Sequence, residues 1–334
     1  SPRRRFDSPP TKSRLPVHPV PDWPRARAVR PPAIAATSAA THRSAFRWTG
    51  AWRGSGRGTV IVIQADLHPE ELQSMPILAS TPLAHLTVHT LPAFADNYLW
   101  LLQAGDAAVA VDPGDAEVVE RALQALGLRL AAILLTHHHP DHIGGAAALA
   151  SRRPCPVFGP ADARIPMVDR ICVDGDRVPV TGFPPITAWH LPGHTRTHLA
   201  YLVDGAIFVG DTLFGAGCGR VFEGETADLH ASLQRIAGLP AATKVFCAHE
   251  YTRANLAFGA AVEPRNAAIA TRLQALSDGR PSVPFPLAGE FESNVFLRCD
   301  EVSVREATSR QCGRDLNEPV DVFVALRQWK NAYA

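Results

Sequence analysis

The sequence predicts an α/β fold followed by a smaller helical segment. Three observations carry that prediction. From Leu86 to about residue 250, short apolar runs rich in β-formers alternate with turn signals, as buried strands do. Stretches of helical period lie between those runs. After Thr252 the strand signal fades and the remaining apolar pattern is helical.

In chain order, LTVHTLPAF (86–94), YLWLLQA (98–104) and AAVAVDPG (107–114) read as strands punctuated by Asp-Asn, Gly-Asp and Pro-Gly turns. AEVVERALQALG (116–127) is an amphipathic helix that Gly127 ends. LAAILL (130–135) is a buried strand, and AAALA (146–150) begins a second helix after Gly144-Gly145. ITAWHL, LAYLVD, AIFVGD and KVFCAH, between residues 186 and 249, are further strands, with a helix at DLHASLQRIAGL (228–239). ANLAFGAAV, PRNAAIATRLQALSDG and VDVFVALRQWKNAY, between 254 and 333, are helical. The expected organisation is an extension over 1–74, an α/β domain over 75–250 and a helical domain over 251–334.

The 334 residues are 46% hydrophobic, enough for a large core. The net charge of +1 hides an asymmetry. Residues 1–58 hold eleven Arg and one Lys against Asp7 and Asp22, which leaves 21 basic and 30 acidic residues beyond them. Rich in Arg, Pro and Ser and without a period, residues 1–74 are expected to be disordered, as non-native sequence or as a transit segment. A mildly acidic body argues against a nucleic-acid partner. No apolar run reaches the ~20 residues of a membrane span. The six cysteines form no CxxC pair and are expected as free thiols in a reducing compartment. A cytoplasmic monomer is expected, or a mitochondrial one if the extension is a transit peptide.

The stretch THHHPDHIGG (136–145) carries the chemistry. It follows LAAILL directly. In extended chain, His137 and His139 share a face and His138 points away. Pro140 breaks the strand, and Asp141 and His142 stand where a helix turns back over the same spot. Strand ends also deliver His194 after ITAWHL, Asp211 after AIFVG and His249 after KVFCA, which is where α/β proteins place their sites. A lone histidine is ordinarily a hydrogen-bonded bystander, and Asp211 alone would read as a helix cap. Seven such residues at four strand ends read instead as two metal positions. His137, His139 and His194 face one, Asp141, His142 and His249 the other, and Asp211 bridges. Nitrogen and carboxylate ligands without thiolate suit two divalent ions, zinc first, with iron or manganese also accommodated. A bridging hydroxide held by Asp211 would be the nucleophile. His138, His190 and His198 are expected to orient or pack.

Through THHHPDH, PGHT, GDT and AHE in that order, the sequence resembles the metallo-β-lactamase superfamily, whose fold is an αββα sandwich with metals at one edge. LPAFADNYLWLL, VDPGDA, LFGAGCGRVFEG, CAHEYTRANLAF and VEPRNAAI make it similar, over about 86–334, to the glyoxalase II (hydroxyacylglutathione hydrolase) family. The resemblance implies hydrolysis of S-D-lactoylglutathione to D-lactate and glutathione at a dinuclear site, in methylglyoxal detoxification. The seven residues fall on the family's metal positions. Arg220, Tyr251, Arg327 and Lys330 fall on positions that contact glutathione, whose carboxylates favour cations. Phe222, Glu225 and Val295 depart from the commoner Tyr, Thr and Pro. The first two put substrate affinity, not chemistry, in question. The rival within the superfamily is a persulfide dioxygenase, with one iron and no such helical tail. A nucleic-acid-processing member is the more distant alternative.

Overall fold

The computed structural model describes residues 77–277 and 279–333. The expectations for residues 1–74 lie outside the described residues. Two sheets face each other. The first has seven strands in chain order: β1 (Ala79–Pro82), β2 (Thr87–Ala93), β3 (Asn97–Ala104), β4 (Ala107–Val111), β5 (Arg129–Leu134), β6 (Val157–Gly159) and β7 (Arg170–Ile171). The second contains β8 (Arg177–Val178), β9 (Ile186–His190), β10 (Leu199–Val203), β11 (Ala206–Gly210), β14 (Lys244–Cys247) and β15 (Phe285–Pro286), ordered β15-β14-β11-β10-β9-β8. A separate two-stranded hairpin joins β12 (Leu213–Phe214) to β13 (Gly217–Cys218).

The period of two in the strands builds the layers. In β3, Tyr98, Trp100 and Leu102 point between the sheets, while Leu99 and Leu101 point outward. In β4, Val109 and Val111 face in, and Ala108 and Ala110 face out. The outward set is covered by helices α1 (Ala116–Leu126) and α3 (Ala146–Arg152), through Val119, Leu123 and Leu149. Asp115 caps α1 by accepting from the amides of Glu117 and Val118, and Gly127 ends it at φ 65°. Between α1 and α3 lies one short turn of helix, α2 (Pro140–Ile143). On the second sheet's side, α4 (Thr226–Ala237) lays Arg235 over the Trp189 ring of β9 at 4.2 Å. The helical segment then follows as α5 (Thr252–Val262), α6 (Ala267–Ala275), α7 (Ala288–Ser293), α8 (Val302–Cys312) and α9 (Pro319–Ala332). Phe258, Phe296 and Phe323 tie it to the core between the sheets.

The strands expected from the sequence form within a few residues of their expected ends. Strands β1 and β6, the two-residue strands, α7 and α8 were not expected. Strands so short have no period to read. In α8 only Val304, Ala307 and Thr308 are buried, so it carries no marked apolar stripe. Among the described residues no helix is long and apolar enough to cross a membrane.

Direction is what matters for the site. Strands β4, β5 and β6 run parallel, as do β11 and β14, while β9 and β11 are both antiparallel to β10. The residues after β5, β9, β11 and β14 therefore emerge at carboxyl ends that share a direction within each sheet. At that edge the sheets are pinned together. Tyr98 donates its amide to Ala248 at 2.7 Å, and Glu250 donates to Asp96 at 2.9 Å.

Between the sheets, Trp100 of the first meets Phe246 of the second at 5.0 Å, and Phe246 stacks on Phe208 at 4.8 Å. Phe246→Ala should cost about 3–5 kcal/mol. It is read as a lower urea midpoint with the same m value. A midpoint unchanged from the parent would show that this aromatic contact does not hold the sheets.

Candidate metal centre

The structure brings all seven expected residues together in two groups. His137, His139, His194 and Asp211 form one, and Asp141, His142 and His249 the other; within each, the offered atoms lie within 4.8 Å of one another. Asp211 divides its carboxylate between them. Oδ2 lies 3.4 Å from His194 Nε2, while Oδ1 lies 3.4 Å from His142 Nε2 and 3.5 Å from His249 Nε2. Two ligands bound tetrahedrally at 2.0–2.1 Å to one ion stand about 3.3 Å apart, so these spacings fit ligands better than direct hydrogen bonds.

Hydrogen bonds on the outer nitrogens decide which inner nitrogens are bare. Thr136 donates its hydroxyl to Asp112 at 2.7 Å, so its oxygen accepts from His137 Nδ1 at 3.0 Å. His142 Nδ1 donates to Asp112 at 2.9 Å, His194 Nδ1 to the Arg220 carbonyl at 2.9 Å and His249 Nδ1 to Asp96 at 2.9 Å. With one proton each, the four rings would thus turn a lone pair on Nε2 inward. His139 Nδ1 faces both His137 Nε2 and His194 Nε2, at 2.9 and 3.0 Å. With both neighbours bare it can donate to only one of them. A cation among the three nitrogens satisfies all.

Two buried atoms test whether the site fits a metal. Asp211 Oδ1 and His142 Nε2 are both buried without a hydrogen-bond partner. Both point into the gap between the groups, and both are metal-ligand atoms. Electrostatics agree. Burial works against charge on Asp211, yet His142 and His249 beside it hold its carboxyl well below the usual range. Burial likewise opposes charge on His142 and His249, but Asp211 with Asp112, and Asp141 with Asp211, outweigh it. His142 is held well above its usual value, and His249 is pushed up to about 10. These carboxylates demand positive charge there. Burial holds His137 well below its usual value and His139 down at about 4, so the other group supplies neutral lone pairs.

Close backbone packing makes this possible. A Cβ on Gly114 would lie 1.8 Å from the carbonyl oxygen of Asp141, so only glycine lets the Pro113-Gly114 turn lie against the helix that carries Asp141 and His142.

Sequence reasoning missed the residues that orient the ligands. Asp112 accepts from the Thr136 amide and hydroxyl and from His142. It stands at the carboxyl end of β4, the same signal that singled out Asp211. Asp96 and Asn97 belong to what read only as a turn, yet Asn97 donates to Asp141 at 2.9 Å. His198, expected to orient or pack, stacks on His137 at 4.8 Å and accepts the Asp211 amide at 3.2 Å. His138 does point away, toward Asp162 and Glu223 at 3.7 Å each.

The four expected glutathione residues converge less directly. Burial lowers Lys330, and the nearby charges of Arg327 and Arg220 lower it further, so the three cations share one neighbourhood. Arg220 is exposed. Tyr251 stacks on His249 at 4.7 Å with the two rings nearly parallel. Lys330 donates to the Ala254 carbonyl at 3.2 Å. Arg327 is only 5% exposed, and its Nη1 donates to the carbonyls of Cys218 and Gly219. Of the departures, Phe222 is 62% exposed and sets its ring edge-on to His139 and His194, Glu225 lies just before α4, and Val295 is core.

Comparison with known proteins identifies the family. Residues 96–170 and 159–249 match the metallo-beta-lactamase superfamily, and residues 250–333 match the hydroxyacylglutathione hydrolase C-terminus. The hydroxyacylglutathione hydrolase of Halorhodospira halophila is 51% identical over 247 residues, spanning 72% of this chain and 97% of that protein. That of Alkalilimnicola ehrlichii is 50% identical, with 72% and 97% covered, and that of Aeromonas hydrophila 48%, with 74% and 99%. The crystal structure of ETHE1 from Myxococcus xanthus superposes with a TM-score of 0.50 at 24% identity, covering 74% of this chain and 99% of that one, a likeness of fold alone. The fold and its His/Asp clusters imply divalent metal ions. With about half of the aligned residues identical across almost the full length of such relatives, the chain belongs to the hydroxyacylglutathione hydrolase family of the metallo-β-lactamase superfamily.

Proposed function

We propose that this chain hydrolyses the thioester S-D-lactoylglutathione to D-lactate and glutathione, with two divalent ions, zinc in the first instance, held by His137, His139, Asp141, His142, His194, Asp211 and His249. The observation that carries the reading is the division of Asp211, one oxygen toward each donor group. Two donor groups favour a dinuclear hydrolase over a single-iron oxygenase of the same superfamily. So does the match of residues 250–333 to the hydrolase C-terminus.

The seven ligands would hold divalent ions, which when bound would supply the Lewis acidity that activates water and a thioester carbonyl near neutral pH. The chain's residues do the rest. Asp112, Thr136, Asp96 and the Arg220 carbonyl fix four imidazoles with their lone pairs inward. Phe222 lays its ring against His139 and His194 and forms a wall for the acyl end. Arg220 and Lys330 offer cations to the glutathione carboxylates, Arg327 adds charge behind them, and Tyr251 extends the surface from His249. The thiolate leaves without a proton donor, because a thiol of pKa about 8.5 is a good leaving group near neutrality. We assign the metal side to residues 75–250, which also lend Arg220 and Phe222 to the substrate, and the rest of the substrate side to the helical residues 251–334, in a monomer.

Purified protein should release thiol from S-D-lactoylglutathione, lose that activity to a strong chelator and regain it with zinc. Undiminished turnover in chelator would sink the reading. Asp112→Asn keeps the shape of Asp112 but removes an acceptor, and should weaken metal affinity about 10–100-fold in a chelator competition; parent affinity would mean that Asp112 does not orient His142. Arg220→Ala should raise KM roughly 10-fold, the worth of a charged hydrogen bond, with kcat near the parent. A fall in kcat at constant KM would remove Arg220 from substrate binding.

A further inference from the structure

The hairpin β12–β13 lies between Asp211 and Arg220, and its ladder holds only two residue pairs. A hairpin of that size does not hold its own shape. Its turn also includes Ala216 at φ 54°, a left-handed conformation that a residue with a Cβ adopts only when its surroundings fix it. What fixes it comes from the helical segment. Asn255 of α5 donates to the Gly215 carbonyl at 3.1 Å. Glu290 of α7 accepts the Ala216 amide at 2.8 Å. Asn294, at the end of α7, donates to the Gly217 carbonyl at 3.1 Å. Arg327 of α9 donates to Cys218 and Gly219 at 3.0 and 3.3 Å. Five consecutive residues of the hairpin are thus held by four side chains, each of them buried. Glu290 is wholly buried and is itself held by Arg272 and Asn294 at 2.8 Å each.

The other side of the hairpin touches the metal centre. Gly219 donates to the Thr212 carbonyl, beside Asp211, at 3.2 Å. A Cβ on Gly219 would lie 2.0 Å from the Asp211 carbonyl oxygen and 3.1 Å from His194 Nδ1. The next carbonyl, of Arg220, accepts from His194 Nδ1, and Phe222 donates its amide to the His194 carbonyl at 3.1 Å.

We infer that the helical segment sets the metal centre as well as facing the substrate: Asn255, Glu290, Asn294 and Arg327 brace the 213–219 hairpin and through it hold His194 in its metal-binding tautomer and Asp211 in place. They are positioning residues, since none of them touches a ligand atom. The inference deepens the proposed function and rests on its metal reading, but not on its substrate.

The test uses the full chain carrying Asn294→Ala. Zinc affinity is measured by competition with a chromophoric chelator, and the cobalt-substituted protein by its visible spectrum. We expect about a tenfold loss of affinity, larger for the equivalent that His194 would hold because Asp211 serves both, and an altered cobalt spectrum. If the protein turns over S-D-lactoylglutathione, KM should stay within twofold while kcat falls. Asn255→Ala reaches the same hairpin from another helix and should behave alike, so a folding defect in one variant leaves the other to decide. Glu290→Gln, whose amide oxygen still accepts from Ala216, should retain more affinity than Glu290→Ala. Parent metal affinity and spectrum in both Asn variants, with KM raised or with stability alone reduced, would overturn the inference. Metal affinity is read without substrate, so an inactive parent would refute the proposed reaction and leave this result standing.

Discussion

The structure depends on one buried carboxylate that has to be matched by positive charge. Asp211 is almost wholly enclosed, and one of its oxygens has no hydrogen-bond donor. An isolated buried carboxylate costs several kcal/mol, more than most single contacts return. The surroundings answer that cost from two directions. His194 faces one oxygen, and His142 and His249 face the other. Divalent ions between these atoms would satisfy the carboxylate and every inward lone pair at once. The same arrangement would give the site its hydrolytic capacity, so the element that is least stable alone is the one that the chemistry needs.

Around this carboxylate the protein builds a shell that leaves the rings little freedom. Asp112 holds Thr136 and His142 together, and through Thr136 it reaches His137. Asp96 holds His249, and the turn that carries it is tied across the sheets by backbone bonds. His194 takes its orientation from a backbone carbonyl rather than from a side chain, so its geometry is only as firm as the hairpin that carries Arg220. That hairpin is in turn held by α5, α7 and α9. The α/β layers and the helical segment therefore meet at the hairpin beside the metal centre.

This gives the fused architecture a physical reason. A helical lobe that only bound the substrate could hang from the α/β body through any surface. Here Phe258, Phe296 and Phe323 join the core between the sheets, and four polar side chains reach inward to five backbone groups next to the ligands. On the proposed function, Arg327 would join the two roles in one residue. Its charge faces the same neighbourhood as Arg220 and Lys330, while its Nη1 is committed to the hairpin.

By itself the sequence determined the longer strands, most of the helices and the seven residues that the structure gathers into two groups. Strand periodicity is local, and a histidine or aspartate just past a buried strand end can be read without knowing where the strand lies. The resemblance of THHHPDH and its companion motifs added the reaction and the substrate side. Only the tertiary structure decided how Asp211 divides its oxygens, that Asp112 and Asp96 set the ring tautomers, and that Arg327 lies buried against the hairpin. Asp112 and His142 are thirty residues apart, and Arg327 and Cys218 more than a hundred. Hydrogen bonds of that separation leave no period or spacing in the chain, because they exist only once the sheets and helices have packed.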